Sequence, residues 1–104
     1  MDHRISRTLR FIEMNYSSKI SLEDLADCAR LSRSRLFLLF RVQTGLSPVR
    51  YLMQTRIRKA AELLDSDGVL SVKEVMVQVG LTSKSHFARS FKQVFGVTPS
   101  RYRT

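Results

Sequence analysis

A chain of 104 residues is long enough for one compact domain and too short for two ordinary ones. Its 43% hydrophobic and 26% charged residues exclude a disordered tail, and no stretch approaches the roughly 20 apolar residues of a membrane span. Eighteen Lys and Arg against nine Asp and Glu leave a net charge of +9, which implies a polyanionic partner, nucleic acid first and an anionic membrane surface second.

The opening Met1-Asp2-His3-Arg4 leads into an amphipathic pattern with no signal-peptide core, so a cytoplasmic location is expected. In that setting Asn15-Tyr16-Ser17 matches a glycosylation acceptor by chance. Ile5, Leu9 and Ile12 predict a leading helix over roughly Ile5 to Asn15. Ser21 with Asp24 then makes a capping-box-like start for a second helix, with Leu22, Leu25, Ala26 and Ala29 inward. Cys28 is expected as a small buried residue in that pattern. As the lone cysteine it excludes an internal disulfide, and no cluster has the spacing of a zinc site. The helix ends near Arg30, which must either adopt left-handed geometry at a steric cost or use another turn.

Ser32 caps a third helix with Leu36, Leu39 and Phe40 inward, and Gly45 closes it. Ser47-Pro48 opens a long helix, Val49 to about Leu64, whose apolar face is Tyr51, Leu52, Ile57, Ala60, Ala61 and Leu64. Its Arg56, Arg58 and Lys59 form a charge run that serves either as a solvated face or as phosphate contacts. Ser66-Asp67-Gly68 breaks it, and Asp65, Ser66 and Asp67 lack the ligand spacing of a calcium loop. Ser71 with Glu74 starts a fifth helix that stops at Gly80. Thr82 or Ser83 caps a sixth, with Phe87, Phe91 and Val94 inward and Gly96 at its end, and Thr98-Pro99 opens a seventh. Seven helices and no strand make an all-α fold.

The chain also repeats itself. Ser21, Leu25 and Leu31 match Ser71, Val75 and Leu81 at an offset of 50, while Leu36, Phe40, Gly45, Pro48 and Tyr51 match Phe87, Phe91, Gly96, Pro99 and Tyr102 at an offset of 51. Two copies are a duplication rather than a solenoid. Each copy reads as helix, turn, helix. The expected organisation is one domain over 1–104, with a first helix-turn-helix unit at 5–47, a linking helix at 48–65 and a second unit at 69–103.

In such a pair the first helix braces against the DNA backbone and the second lies in the major groove. The second copy suits this, because Lys84, Ser85, His86 and Arg89 fall outside the Phe87/Phe91 face. Arg89 can reach guanine O6 and N7 in bidentate fashion. Ser83 at a helix N-terminus suits a phosphate, and Lys84 and Lys92 add charge neutralisation. In the first copy Arg33, Ser34 and Arg35 begin the helix as expected, but Phe37 and Leu38 stand where polar side chains would meet bases. Three roles stay open for that pair: contact with thymine methyls, packing under the linking helix, or a protein partner. A linking helix of roughly 16 residues spans ~24 Å, which with the packing of each unit approaches the ~34 Å groove repeat on slightly bent DNA.

From about Leu9 to Arg103 the chain resembles the DNA-binding domain of the AraC/XylS family of bacterial transcription regulators. The carrying pieces are LSRSRLFLLFRVQTGLSPVRYLMQTRIRKAAELL and SVKEVMVQVGLTSKSHFARSFKQVFGVTPSRYR. The resemblance implies homeodomain-like repeats and a monomer that reads an asymmetric promoter site with two recognition helices. It also implies promoter activation through RNA polymerase. Ser34, Arg35, Phe37 and Leu38 align with the base-reading places of the first unit, and Lys84, Ser85, His86 and Arg89 with those of the second. Two departures stand out: Leu38 where arginine is frequent, and Met76 in place of the usual alanine between helices, which implies wider packing in the second unit. Long members of the family carry a further effector-sensing or dimerising domain, so the chain fits either a C-terminal piece of such a regulator or a small stand-alone one. It is expected to need no cofactor and no metal, to bind double-stranded DNA and no membrane, and to act in the cytoplasm at the nucleoid. His3 and His86 are far apart in sequence and neither forms a recognisable nucleophile–base set, so no enzyme is expected. A pure protein-interaction module would explain only Phe37 and Leu38.

Overall fold

The computed structural model describes residues 1–66 and 68–103. Asp67, expected within the break after the linking helix, and Thr104, the end of the expected 1–104 domain, lie outside them. The described residues form seven helices and no strand: α1 His3–Asn15, α2 Leu22–Ala29, α3 Arg33–Thr44, α4 Pro48–Asp65, α5 Val72–Gln78, α6 Lys84–Phe95 and α7 Pro99–Arg103. They fall into two units, Met1–Leu52 and Met53–Thr104, with α4 contributing residues to both.

Hydroxyls and carboxylates set the helix starts. Asp2 caps α1, its Oδ1 accepting the Arg4 N–H at 2.8 Å, so the helix begins two residues before the expected Ile5. Ser21 and Asp24 close a full reciprocal box at 3.0 and 2.9 Å, despite the short aspartate. Ser71 and Glu74 close the same box at 3.0 and 2.9 Å. Ser32 caps α3 and Ser83, rather than Thr82, caps α6. Gly45 and Gly96 end those helices at φ 80° and 82°, a conformation that costs glycine nothing.

In the first unit α1, α2 and α3 enclose Ile5, Ile12, Leu25, Ala26, Ala29, Leu36 and Phe40, with Leu52 from the start of α4. Leu9, Leu22, Leu39 and Tyr51 pack against this cluster while staying partly exposed. Buried Thr8 satisfies its hydroxyl on the Arg4 carbonyl at 2.9 Å. Cys28, expected inside, is only half-buried. It lies on the flank of α2, where its thiol meets the Arg7 carbonyl at 3.9 Å and Arg7 Nε donates to its own carbonyl at 2.9 Å. The second unit buries Ile57, Ala60, Ala61 and Leu64 of α4 together with Val75, Met76, Val79, Leu81, Phe87 and Phe91.

Both units carry the same aromatic lock. Phe40 meets Tyr51 edge-to-face at 5.5 Å, and Phe91 meets Tyr102 edge-to-face at 5.3 Å. Such a pair contributes about 0.5–1.5 kcal/mol beyond its burial and fixes the helix that follows each Gly. In the second unit Phe95 joins the cluster, 4.8 Å from Phe91. That ring takes the last-turn place over Phe91, which corrects the expectation for Val94: it points out and is 42% exposed. Tyr102 also donates to Asp65 Oδ2 at 2.9 Å, and Arg103 donates to the Leu70 carbonyl, so α7 is fastened to the end of α4 and to the segment before α5.

Candidate nucleic-acid interface

Each helix-turn-helix is held by one turn geometry made twice. After α2, Arg30 sits at φ 57°, ψ 42°, its N–H bonding the Asp27 carbonyl at 3.1 Å while Leu31 bonds the Ala26 carbonyl at 3.0 Å. After α5, Gly80 sits at φ 90°, its N–H on the Val77 carbonyl at 3.0 Å and Leu81 on the Met76 carbonyl at 3.0 Å. These are paired left-handed helix stops, one built on arginine and one on glycine. They swing the chain so that Leu31 and Leu81 turn inward just before the caps of α3 and α6. In the first unit the Asp2 N–H also reaches Gln43 Oε1 at 2.7 Å, tying the start of α1 to α3.

On α6 the inward face is Phe87 and Phe91, and Lys84, Ser85, His86, Arg89 and Lys92 are all exposed. Ser83 is exposed too, its hydroxyl accepting the His86 N–H at 3.2 Å while keeping its own proton to donate. Ser85, Arg89 and Lys92 succeed one another at spacings of four and three, the outermost line of a helix that buries Phe87 and Phe91. Gln93, outside the set expected from sequence, lines one surface recess with Arg89 and Lys92. Its amide is a donor and acceptor on the same face, and the i+4 spacing from Arg89 is the signal that identifies it.

The same frame on α3 carries different chemistry. Arg33, Ser34 and Arg35 are exposed at its start, with Arg33 reaching Glu23 across the turn at 3.4 Å. That ion pair is solvent-bathed and holds little energy, so the guanidinium is readily surrendered to a stronger anion. Phe37 and Leu38 are 40% and 63% exposed, which leaves neither as a core residue. Arg41 and Val42 follow, both exposed, at the places that Lys92 and Gln93 hold on α6. Val42 lines a shallow recess of about 200 Å³ with Arg4, Arg35, Leu38 and Leu39. Arg4 is engaged there, its Nη2 on Asp2 Oδ2 at 2.9 Å, and that bond pulls the Asp2 carboxyl down to about 2. A second recess takes in Phe37, Arg41 and Arg50.

The charge run on α4 is not one uniform face. Arg56 is half-buried and its guanidinium is desolvated, which lowers its proton affinity. Arg58 is exposed and donates to buried Thr55 Oγ1 at 3.3 Å, and Lys59 approaches Glu62 at 3.9 Å. Among the described residues no group of three or more His, Cys, Asp or Glu could hold a metal ion, and no helix is long and apolar enough to cross a membrane.

A family model described as a helix-turn-helix domain matches residues 25–104. The chain is 39% identical over 101 residues to an uncharacterised HTH-type transcriptional regulator of Bacillus subtilis, YdeC, covering 97% of this chain and 34% of that protein. It spans about a third of the length of the curated relatives it matches first. Among solved structures, a probable AraC family transcriptional regulator from Rhodopseudomonas palustris aligns with a TM-score of 0.90 at 26% identity, over 98% of this chain and 95% of that one. The DNA-binding domain of AdpA, a global transcriptional factor solved in complex with a target DNA, aligns with a TM-score of 0.89 at 27% identity, over 95% and 88% of the two chains. The seven-helix order, the doubled helix-turn-helix and the extent of these matches agree: the chain belongs to the AraC/XylS family of helix-turn-helix transcription regulators.

Proposed function

We infer that this chain is the sequence-reading module of a bacterial transcription regulator, inserting α3 and α6 into successive major-groove segments of an asymmetric promoter site. The observation that carries it is the outward face of α6, where Lys84, Ser85, His86, Arg89 and Lys92 stand exposed over a buried Phe87/Phe91 spine. Arg89 and His86 supply base-edge hydrogen bonds, with Gln93 beside Arg89 as a third reader. Ser83, Lys84 and Lys92 hold phosphates, which position the helix without reading sequence. In the first unit Arg33, Ser34, Arg35, Phe37 and Leu38 face the groove, and Arg41 adds a cation to the same side. AdpA's domain, of the same fold, was solved on its target DNA, and that kinship supports duplex DNA as the ligand here.

The module acts as a monomer in the bacterial cytoplasm, at the nucleoid, needs no cofactor, and works on transcription through contact with RNA polymerase. Where it forms part of a longer regulator, dimerisation belongs to the other domain. Its relatives named as operon regulators and activators are consistent with that role. Selection of preferred sites from random duplex DNA tests the reading, run in parallel on the wild type and Arg89→Ala. The wild type should yield an asymmetric motif of two blocks about one helical turn apart. Arg89→Ala should lose about 1–3 kcal/mol on that site and relax one base position in one block only. An unchanged motif in the variant removes Arg89 from the reading face, and no enriched motif in the wild type sinks the function.

A further inference from the structure

We propose that the first recognition helix reads thymine by its C5-methyl group, with Leu38 and Val42 as the specificity-determining residues. The inference rests on the DNA-reading function above and adds the chemistry by which its first half discriminates.

Leu38 and Val42 lie four residues apart on α3, 63% and 80% exposed, and line one shallow recess together with Arg35 and Leu39. Two aliphatic side chains one turn apart form a continuous apolar strip, and water contact over that area costs free energy unless something apolar covers it. The surroundings decide what. Between Arg33 and Thr44 the helix has three arginines and no acid, and Arg35 and Arg41, both exposed, flank the strip. An apolar protein surface would have to approach through that cationic frame, whereas a DNA groove brings phosphates to the arginines and methyl groups to the strip in one docking. In the major groove the thymine methyl is the apolar feature that distinguishes A·T and T·A pairs from the others.

The second unit provides the contrast. Leu38 and Val42 occupy the positions that Arg89 and Gln93 hold on α6, offset by 51. One helix presents hydrogen-bonding groups to base edges where the other presents only methyl and methylene groups. A hydrogen-bond reader cannot be replaced by Leu without losing its base, unless the base offers an apolar handle. The two blocks of the site are therefore read by opposite chemistry, and the first block is thymine-rich at the pairs under Leu38 and Val42.

The test removes the methyl and nothing else. The whole chain is titrated onto its selected duplex and onto the same duplex with deoxyuridine in place of each thymine of the first block, at fixed salt. Wild-type binding should weaken about fourfold for each methyl contacted, the change that one buried methyl-sized group carries. Leu38→Ala and Val42→Ala should bind the thymine duplex more weakly and lose most of the difference between the two duplexes. Both side chains are exposed, so these variants should melt like the wild type, and the wild-type comparison stands even without them. Equal wild-type affinity for both duplexes overturns the proposal, as does full methyl sensitivity in the two variants. Loss of all salt-sensitive duplex binding overturns both readings, while duplex binding indifferent to the methyl overturns this one alone.

Discussion

Arg30 is held in the left-handed backbone conformation that disfavours an L side chain. It is the one non-glycine residue at positive φ among the described residues, at φ 57°, ψ 42°, and it does in the first turn what Gly80 does in the second. The left-handed region brings a Cβ against the following carbonyl, at about 1–2 kcal/mol for an L-residue. Glycine escapes that clash but gives up more unfolded-state freedom, which offsets part of the gain. Arg30→Gly is therefore expected to stabilise the chain by about 0.5–1 kcal/mol. Urea unfolding checks it: the midpoint should rise with the slope unchanged. A lower midpoint would mean that the exposed arginine side chain returns more through its surroundings than its backbone loses.

The helix caps show how an element depends on one pair of groups. Glu74 is drawn below the ordinary carboxylate range chiefly by the backbone N–H of Ser71, with the Ser71 side chain adding to it. A depressed acid stabilises the fold fully above its unfolded pKa, and that stability fades as pH falls through the lower folded value. The second unit should therefore lose stability on acidification below the ordinary glutamate range, and Glu74→Gln should flatten that part of the pH profile of the melting temperature. Ser71→Ala removes the other half of the box and should cost about 1 kcal/mol at neutral pH. A profile unaltered by Glu74→Gln would show that the acid limb belongs to other carboxylates. These local devices are why most of the fold is legible in the sequence. Ser21, Ser32, Ser71 and Ser83, the glycine stops and the two Ser/Thr-Pro starts each act within a turn of chain, so their types and spacing suffice. What escaped depends on other elements. Val94 and Phe95 compete for one place, and the Phe91 and Tyr102 rings decide between them. Cys28 is half-buried on the flank of α2, where it meets Arg7 of α1. Val42 and Gln93 each lie one turn beyond a residue the sequence does mark, Leu38 and Arg89, and only the shared recesses join them to it.

At the scale of the whole molecule, charge and apolar surface divide the binding task. A net charge of +9 on 104 residues supplies a field that any duplex would feel, so affinity and specificity should respond to different perturbations. Phosphate neutralisation releases condensed counterions, and each neutralised phosphate steepens the fall of log K with log salt by about 0.9. If roughly six phosphates are held by the two units together, affinity should drop about a thousandfold between 50 and 200 mM monovalent salt. Lys92→Ala, a single exposed cation on the outward line of α6, should make the slope shallower by about 1 and weaken all sequences alike. The two aliphatic substitutions on α3 should do the reverse, leaving the slope alone and changing which sequence is preferred, because an apolar contact releases no counterion. Filter binding or anisotropy over a salt series, on one preferred and one scrambled duplex, separates the two effects. A slope near zero would assign the positive charge to some partner other than DNA, and a preference that vanished with Lys92→Ala would place a base reader where a phosphate clamp is expected.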